Sequence, residues 1–264
     1  MNAVAEPLRH AKAGPWLVEL LPKTAYEARY TPEDAVIGFA FDGQSGSHSF
    51  GGDRKSEFRT RPDGLAYVPA GCEVYSCSTT GGEYLKISRR GTNAGFNATD
   101  RRFSDRIDPL AIASAHELRK LLLSQQPVEP LALERLLSTL EDRVRSFLFD
   151  SLDDDVSGSW MTSRRLRIIN EVIDEGLAEK ITVEDLANAL NLSTGFFSRA
   201  FKAAIGKSPH DHIIDRRVAF ARSLLRGGMG LTDSALAAGF SSHAHMTSTF
   251  RKRLGTRPVD IRSA

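Results

Sequence analysis

Cysteine is nearly absent from this chain, with Cys72 and Cys77 the only two in 264 residues. Two thiols are too few for a disulfide scaffold or for a four-thiolate zinc site. Their odd spacing of five would, on one strand, send the side chains to opposite faces, so two reduced thiols are expected rather than a redox pair. Long apolar runs are missing as well. No stretch approaches the roughly 20 apolar residues of a membrane helix, and the start, Met1-Asn2-Ala3-Val4-Ala5-Glu6-Pro7, has no signal-peptide core. A cytoplasmic protein without membrane contact is the expectation. A surplus of one charge is also lacking: 35 basic and 33 acidic residues leave a net charge of +2. With 26% charged and 41% apolar residues the chain has the proportions of a globular protein.

That near-neutral total hides an uneven distribution. From Trp160 onward there are 16 Lys and Arg against 10 Asp and Glu, a surplus of six, while the front part carries 19 against 23. A basic tail behind an acidic front suggests a polyanionic partner for the tail alone. Residues 150–159 are acidic with Gly and Ser and read as a linker. The length suits two domains better than one. The expected division is 1–108 as a sensing domain, 109–149 as a helical hairpin, 150–159 as linker and 160–264 as an all-helical domain.

Residues 16–90 are rich in Gly and turn residues between short apolar runs, at Ala35–Phe41, Gly64–Pro69 and Tyr84–Ile87. Such punctuation predicts an antiparallel sandwich or barrel. The stretch Asp63-Gly64-Leu65-Ala66-Tyr67-Val68-Pro69-Ala70-Gly71 resembles the second block of cupin barrels, in which a strand enters a Pro/Gly corner. Residues 109–149 turn to helical spacing. Leu133, Leu137, Leu140, Val144 and Phe147 form one apolar stripe, and Pro127 and Pro130 separate it from an earlier helix carrying Leu118, Leu121 and Leu122. The stripe can cover its own barrel, a second copy of itself, or both, and a dimer contact is expected there.

The last hundred or so residues contain a degenerate repeat. Ser193, Phe201, Gly206, Pro209 and Asp211 recur 49 positions later as Ser242, Phe250, Gly255, Pro258 and Asp260; Phe197, Lys202 and Ile205 are matched by Met246, Arg251 and Leu254. Upstream the offset is 48, pairing Ala187 with Ala235 and Leu192 with Phe240. Each copy reads as helix, tight turn, helix. Thr182, Ser193 and Ser242 supply caps, and Asn191 and Gly239 suit a left-handed turn. The second helix of the first copy then leaves Thr194, Gly195, Ser198, Arg199 and Lys202 on an open face. In the second copy the open face carries His243, Ala244, Thr247, Ser248, Arg251 and Lys252 behind the cap Ser242. Short polar and basic side chains on an exposed helix suit a major groove, with hydrogen bonds for base edges and cations for phosphates.

The residues over 163–262 resemble the AraC/XylS transcription regulators. The resemblance rests on Leu186-Ala187-x-x-Leu190-x-Leu192-Ser193, on Phe201-Lys202-x-x-Ile205-Gly206-x-Ser208-Pro209 and on Arg216-Arg217-x-x-x-Ala221 with Leu224-Leu225. It continues through Ala235-x-x-x-Gly239-Phe240 and Phe250-Arg251-x-x-Leu254-Gly255-x-x-Pro258. It implies two helix-turn-helix units joined by a long helix, double-stranded DNA as partner and RNA polymerase as a further partner in an activator; the homodimer is expected from the helical stripe. Ser248 departs from the family, whose members often carry a basic residue there, which shifts weight to His243 and His245. The fold class expected for the whole chain is α+β, a cupin-like barrel with a helical hairpin followed by an all-α reading domain.

The front domain resembles the family's sensing half in architecture. Only His48 stands near the first cupin block and Tyr75 follows the second, so a metal or other cofactor is not expected. A small organic effector held by aromatics is expected instead, with Phe39, Phe41, Tyr67 and Tyr75 as candidates, although each also reads as plain barrel core. A metal-dependent cupin oxygenase fused to a DNA-binding tail is the enzymatic alternative, disfavoured by the missing His-x-His. A non-enzymatic regulator, with activation favoured over repression, is the leading expectation.

Overall fold

A computed structural model of the chain describes residues 6–91, 101–124, 129–149, 160–179 and 181–262. The predicted linker at 150–159 and Pro127 lie outside the described residues. The chain divides into two compact units, Met1–Leu122 with Val128–Asp153 and Leu123–Pro127 with Asp154–Ala264.

The first unit holds two antiparallel sheets. One is ordered β1 (Arg9–Ala13), β2 (Trp16–Leu21), β9 (Tyr84–Arg89), β4 (Val36–Ala40), β7 (Gly64–Val68), β10 (Phe103–Arg106). The other is ordered β3 (Tyr26–Tyr30), β8 (Val74–Ser78), β5 (Gln44–Phe50), β6 (Ser56–Thr60). Register splits the larger sheet into two faces. Val18 pairs with Ile87, Ile87 with Ile37 and Ile37 with Tyr67, which puts these residues, with Leu20, Leu85, Phe39 and Leu65, on one side. All of them are at most 1% exposed. Two helices, α1 (Pro109–Leu123) and α2 (Pro130–Phe149), belong to this buried side. Phe39 and Phe41 meet His116 of α1 edge-on, and Phe103, stacked on Tyr67, meets Phe147 of α2.

This packing bears on one expectation. Leu133, Leu137, Leu140 and Val144 are at most 2% exposed within the single chain, and Phe147 lies against Phe103. Four of the five stripe residues are thus buried against the protein's own sheet within the single chain, and Phe147 is half-buried. A helix laid on a sheet and a helix laid on its twin need the same apolar spacing, so periodicity alone does not separate them. Charged contacts tie the same helices down: Arg119 of α1 pairs with Glu83 at 2.9 Å and lies over Phe41, and Arg143 of α2 pairs with Asp108 at 2.8 Å.

The second unit is helical: α3 (Ser163–Glu175), α4 (Val183–Asn188), α5 (Thr194–Ile205), α6 (Pro209–Arg226), α7 (Leu231–Ala237), α8 (His243–Leu254) and α9 (Pro258–Arg262). Thr182 caps α4 in a reciprocal box with Asp185, whose carboxylate accepts from the Thr182 backbone N–H at 2.8 Å. Ser193, Ser208 and Ser242 cap α5, α6 and α8 through their hydroxyls. Gly206 and Gly255 end α5 and α8 in the left-handed conformation. Ile214, Val218, Ala221 and Leu225 of α6 join Ala235, Ala238, Phe240, Met246, Phe250, Leu254 and Ile261 in one buried cluster. No helix of the described residues is long and apolar enough to cross a membrane.

Candidate functional site

The repeat seen in the sequence is a repeat of hydrogen bonds. In the first copy the Leu192 amide donates to the Ala187 carbonyl at 2.9 Å and the Asn191 amide to Asn188 at 2.9 Å. In the second, Phe240 donates to Ala235 at 2.9 Å and Gly239 to Leu236 at 3.0 Å. Asn191 (φ 55°) and Gly239 (φ 77°) both sit in the left-handed region, which an Asn tolerates and a Gly adopts without strain. Behind each turn the small Ala187 and Ala235 are fully buried, and Phe197 with Phe201, or Met246 with Phe250, anchor the second helix. The opposite face of that helix is thereby forced outward.

On α5 this outward face carries Thr194, Gly195, Arg199 and Lys202, all exposed, with Ser198 half-buried beside them. On α8, His243, Ala244, Thr247, Ser248, Arg251 and Lys252 line one open groove of about 700 Å³. The sequence-predicted reading residues are therefore brought together on two exposed helix faces. Among the described residues no ion pair engages Arg199, Lys202, Arg251 or Lys252, so their charges stay available to an anion. Arg253, one position on, differs: it pairs with Asp211 and, at 3.6 Å, with Asp215 of α6. His243 is within 3.3 Å of the Thr247 hydroxyl inside the groove. His245 is drawn aside, within 3.1 Å of the Ser241 hydroxyl and edge-on to Phe240.

In the first unit the four aromatic effector candidates do not gather at one place. Phe39 and Tyr67 are fully buried and Phe41 is 4% exposed, all on the helix-covered side. Tyr75 stands on the outward side of the smaller sheet, where its hydroxyl accepts from Lys55 at 3.0 Å and donates to Glu27 at 3.1 Å. The chemistry collects instead on the other face of the larger sheet. There Glu19 and Lys86, opposite each other in the β2–β9 register, pair at 2.9 Å. Tyr84 is the next residue along that face, and its hydroxyl covers Gly38. Burial raises the Tyr84 phenol far above its ordinary value, with the Tyr30 and Tyr26 phenols of the smaller sheet adding to the rise. Tyr30 is pushed up to about 12 by burial and by Tyr26, although 37% of its surface meets water. The three phenols lie near enough for each to influence the ionisation of the next.

Tyr26 also forms a 3.1 Å hydrogen bond with Ser76. His48 lies stacked on Phe58 and edge-on to Phe50, and burial, then Arg102, lowers its pKa and keeps the ring neutral. Sequence reading missed Glu19, Tyr26, Tyr30, His48, Tyr84 and Lys86 as a group. The signal was the alternation of β9, where Tyr84, Lys86 and Ser88 fall at every second position, with Glu19 the single polar residue of β2. Among the described residues no three His, Cys, Asp or Glu side chains gather in a group that could hold a metal ion.

Comparison with known proteins bears on the second unit. A family profile described as a helix-turn-helix domain matches residues 186–264. The virulence regulon transcriptional activator VirF of Yersinia enterocolitica is 30% identical over 95 residues, 36% of this chain and 35% of VirF. The HTH-type transcriptional regulator ExsA of Pseudomonas aeruginosa is 26% identical over 153 residues, 57% of this chain and 53% of ExsA. The chain thus spans well under two thirds of either relative. A solved AraC-type transcriptional regulator from Chromobacterium violaceum is 27% identical over 38% of this chain and 90% of its own, with a TM-score of 0.37.

Proposed function

We propose, from the resemblance of its C-terminal part to AraC/XylS-type helix-turn-helix domains and from the matches above, that this chain is a sequence-specific DNA-binding transcription regulator under the control of a small organic effector. The observation that carries the reading is the doubled turn. Two copies of the same hydrogen-bonded corner each turn a helix outward, and each outward face bears cations that no carboxylate of the described residues neutralises. Base edges would meet Thr194, Ser198, Arg199, His243 and Thr247, and phosphates would meet Lys202, Arg251 and Lys252. Ala244 and Gly195 allow close approach of the backbone to the groove, with Ser248 and the cap Ser242 at the margins.

Activation is favoured over repression, with RNA polymerase as the second macromolecular partner in that case; the VirF relative is itself described as an activator. The effector is assigned to the interior between the two sheets. Glu19 balances Lys86 there and His48 is neutral, so the interior favours an uncharged molecule able to exchange hydrogen bonds with phenols and to lie against aromatic rings. A homodimer remains part of the proposal, joined through surface other than the buried α2 stripe.

Selection of duplexes from a random pool by the full chain tests the reading. A regulator enriches one sequence class and loses affinity steeply with added salt. A pool that stays random after repeated rounds, or binding indifferent to salt, overturns the proposal. Stoichiometric iron, zinc or manganese retained through purification would instead favour the oxygenase alternative.

A further inference from the structure

The two readers are built on separate cores, and α6 is divided between them. Its first turns belong to the first copy: His212 bonds with Asn170 of α3 at 2.9 Å and meets Phe201 of α5 edge-on. From Ile214 onward its apolar residues belong to the second copy's cluster, which continues to Ile261. Each reader is therefore fastened to its own part of one helix. Their relative setting depends on the stiffness of that helix and on whatever crosses between the copies.

Contacts that cross between the copies include Arg216 with Asp174 of α3 at 2.6 Å and, at the second corner itself, Arg217. It lies in the part of α6 that belongs to the second copy, yet its guanidinium donates to the Glu179 carbonyl, in the turn after α3 of the first copy, at 2.9 Å. The same guanidinium lies against Gly239, the corner of the second helix-turn-helix. A Cβ at position 239 would stand 2.9 Å from its Nε and 2.2 Å from the Leu177 carbonyl, again in the turn after α3. Gly239 is thus required twice, for its left-handed backbone and for direct backbone contact between the copies. Arg217 Nε is buried, and among the described residues it has no hydrogen-bond partner. A half-buried cation fixed by one carbonyl is a poor way to gain stability, because burial disfavours the charged form. It is a good way to set an angle, because a planar guanidinium wedged between two corners tolerates little rotation.

We propose that Arg217 is a positioning residue for DNA reading: by holding the Glu179 carbonyl while lying against Gly239 it fixes the separation and phase of α5 and α8, so that the protein demands two subsites at one spacing. The inference rests on the regulator reading above. Arg253 of α8, paired with Asp211 and Asp215 of α6, braces the same arrangement from the other reader. Each base pair inserted between subsites turns the second by about 35° and moves it by about 3.4 Å. A rigid pair of readers cannot follow such a change, and a loosened pair can.

The test uses the full chain and the duplex it selects from a random pool, remade with one, two or three base pairs inserted between the subsites, and a duplex keeping the first subsite alone. R217M retains the apolar stem and removes the charge and the donors. The parent is expected to lose roughly a hundredfold in affinity at the wrong spacings, because the second reader then contributes nothing. R217M is expected to bind the original spacing several-fold more weakly, to bind the single subsite like the parent, and to discriminate between spacings by no more than about tenfold. If R217M melts early, R217K, which keeps charge and stem but lacks the planar fork, takes its place. Unchanged spacing discrimination in a folded variant overturns the proposal, as does an equal loss on every duplex including the single subsite. A parent that prefers a sequence but accepts all spacings overturns this inference alone, and a parent without sequence preference overturns the regulator reading with it.

Discussion

The Tyr84 hydroxyl covers Gly38 so closely that a Cβ at position 38 would stand 1.7 Å from it. The phenol occupies the space a side chain at 38 would need, which brings it down onto the inner face of the larger sheet. That position explains its desolvation and links it to Tyr26 and Tyr30 on the opposite sheet.

These tyrosines make the first unit sensitive to alkali. Burial raises Tyr84, and pushes Tyr30 and Tyr67 up to about 12 from an ordinary value of 10.0. In the unfolded chain the phenols ionise near their ordinary value, so stability is intact below pH 10 and is lost progressively as the pH climbs toward the folded values. Tyr84→Phe removes one group that must ionise on unfolding, and its alkaline midpoint should move to higher pH. Circular dichroism followed with phenolate absorbance measures both; a midpoint that stays with the parent would refute the assignment.

The reading faces are tested at Arg199. If its guanidinium reads a base edge, Arg199→Ala should cost about 1–3 kcal/mol and relax preference at one or two positions of the selected site. Lys202→Ala and Arg251→Ala should weaken all sequences alike and flatten the salt slope by about one unit each. Measurements belong on variants with parental melting. Parental affinity and preference in folded Arg199→Ala would remove α5 from the interface.

Leu137 separates the two uses of the α2 stripe. It is fully buried in the single chain, so Leu137→Ala should cost about 2–5 kcal/mol in stability by opening a cavity. The oligomeric state should not change at concentrations where the fold survives. Calorimetry with light scattering checks this, and a dimer that dissociates while the monomer keeps its melting temperature would restore the stripe as an interface.

The second unit was far more legible in the sequence than the first, for a physical reason. Caps and left-handed corners are local chemistry: Ser193, Ser242, Asn191 and Gly239 act within a turn of where they stand, and a second copy multiplies the signal. The faces of a sheet are decided elsewhere. The alternation of Glu19 and Lys86 with Val18, Leu20, Leu85 and Ile87 is what a solvent-exposed face would also display, and only the second sheet turns it into an interior. Phe39 and Tyr67 suggested a ligand by their size, but large aromatics serve equally well beneath helices. The predicted dimer stripe met the same difficulty, since the partner of an apolar helix face is not written in that face.

Cys77 provides the last prediction. It stands on the outward face of β8, opposite Glu27 of β3 and Ser47 of β5, while Cys72 lies in the turn before that strand. A hydrogen bond from Tyr75 holds the Cys77 thiol below its ordinary value of 9.0 against the opposing effect of burial, with the Ser47 backbone and Lys55 adding to the lowering. The Tyr75 hydroxyl has one proton and two acceptors, since it also donates to Glu27 at 3.1 Å. Removing the competitor should therefore release the proton to Cys77. With Cys72→Ser in the background, alkylation of Cys77 should reach half its limiting rate below pH 9, because the thiolate is the reactive form. Tyr75→Phe should move that midpoint up, and Glu27→Ala should move it further down by removing both a rival acceptor and a nearby negative charge. A Tyr75→Phe profile identical to that of the background protein would show that the phenol does not set the reactivity of this thiol.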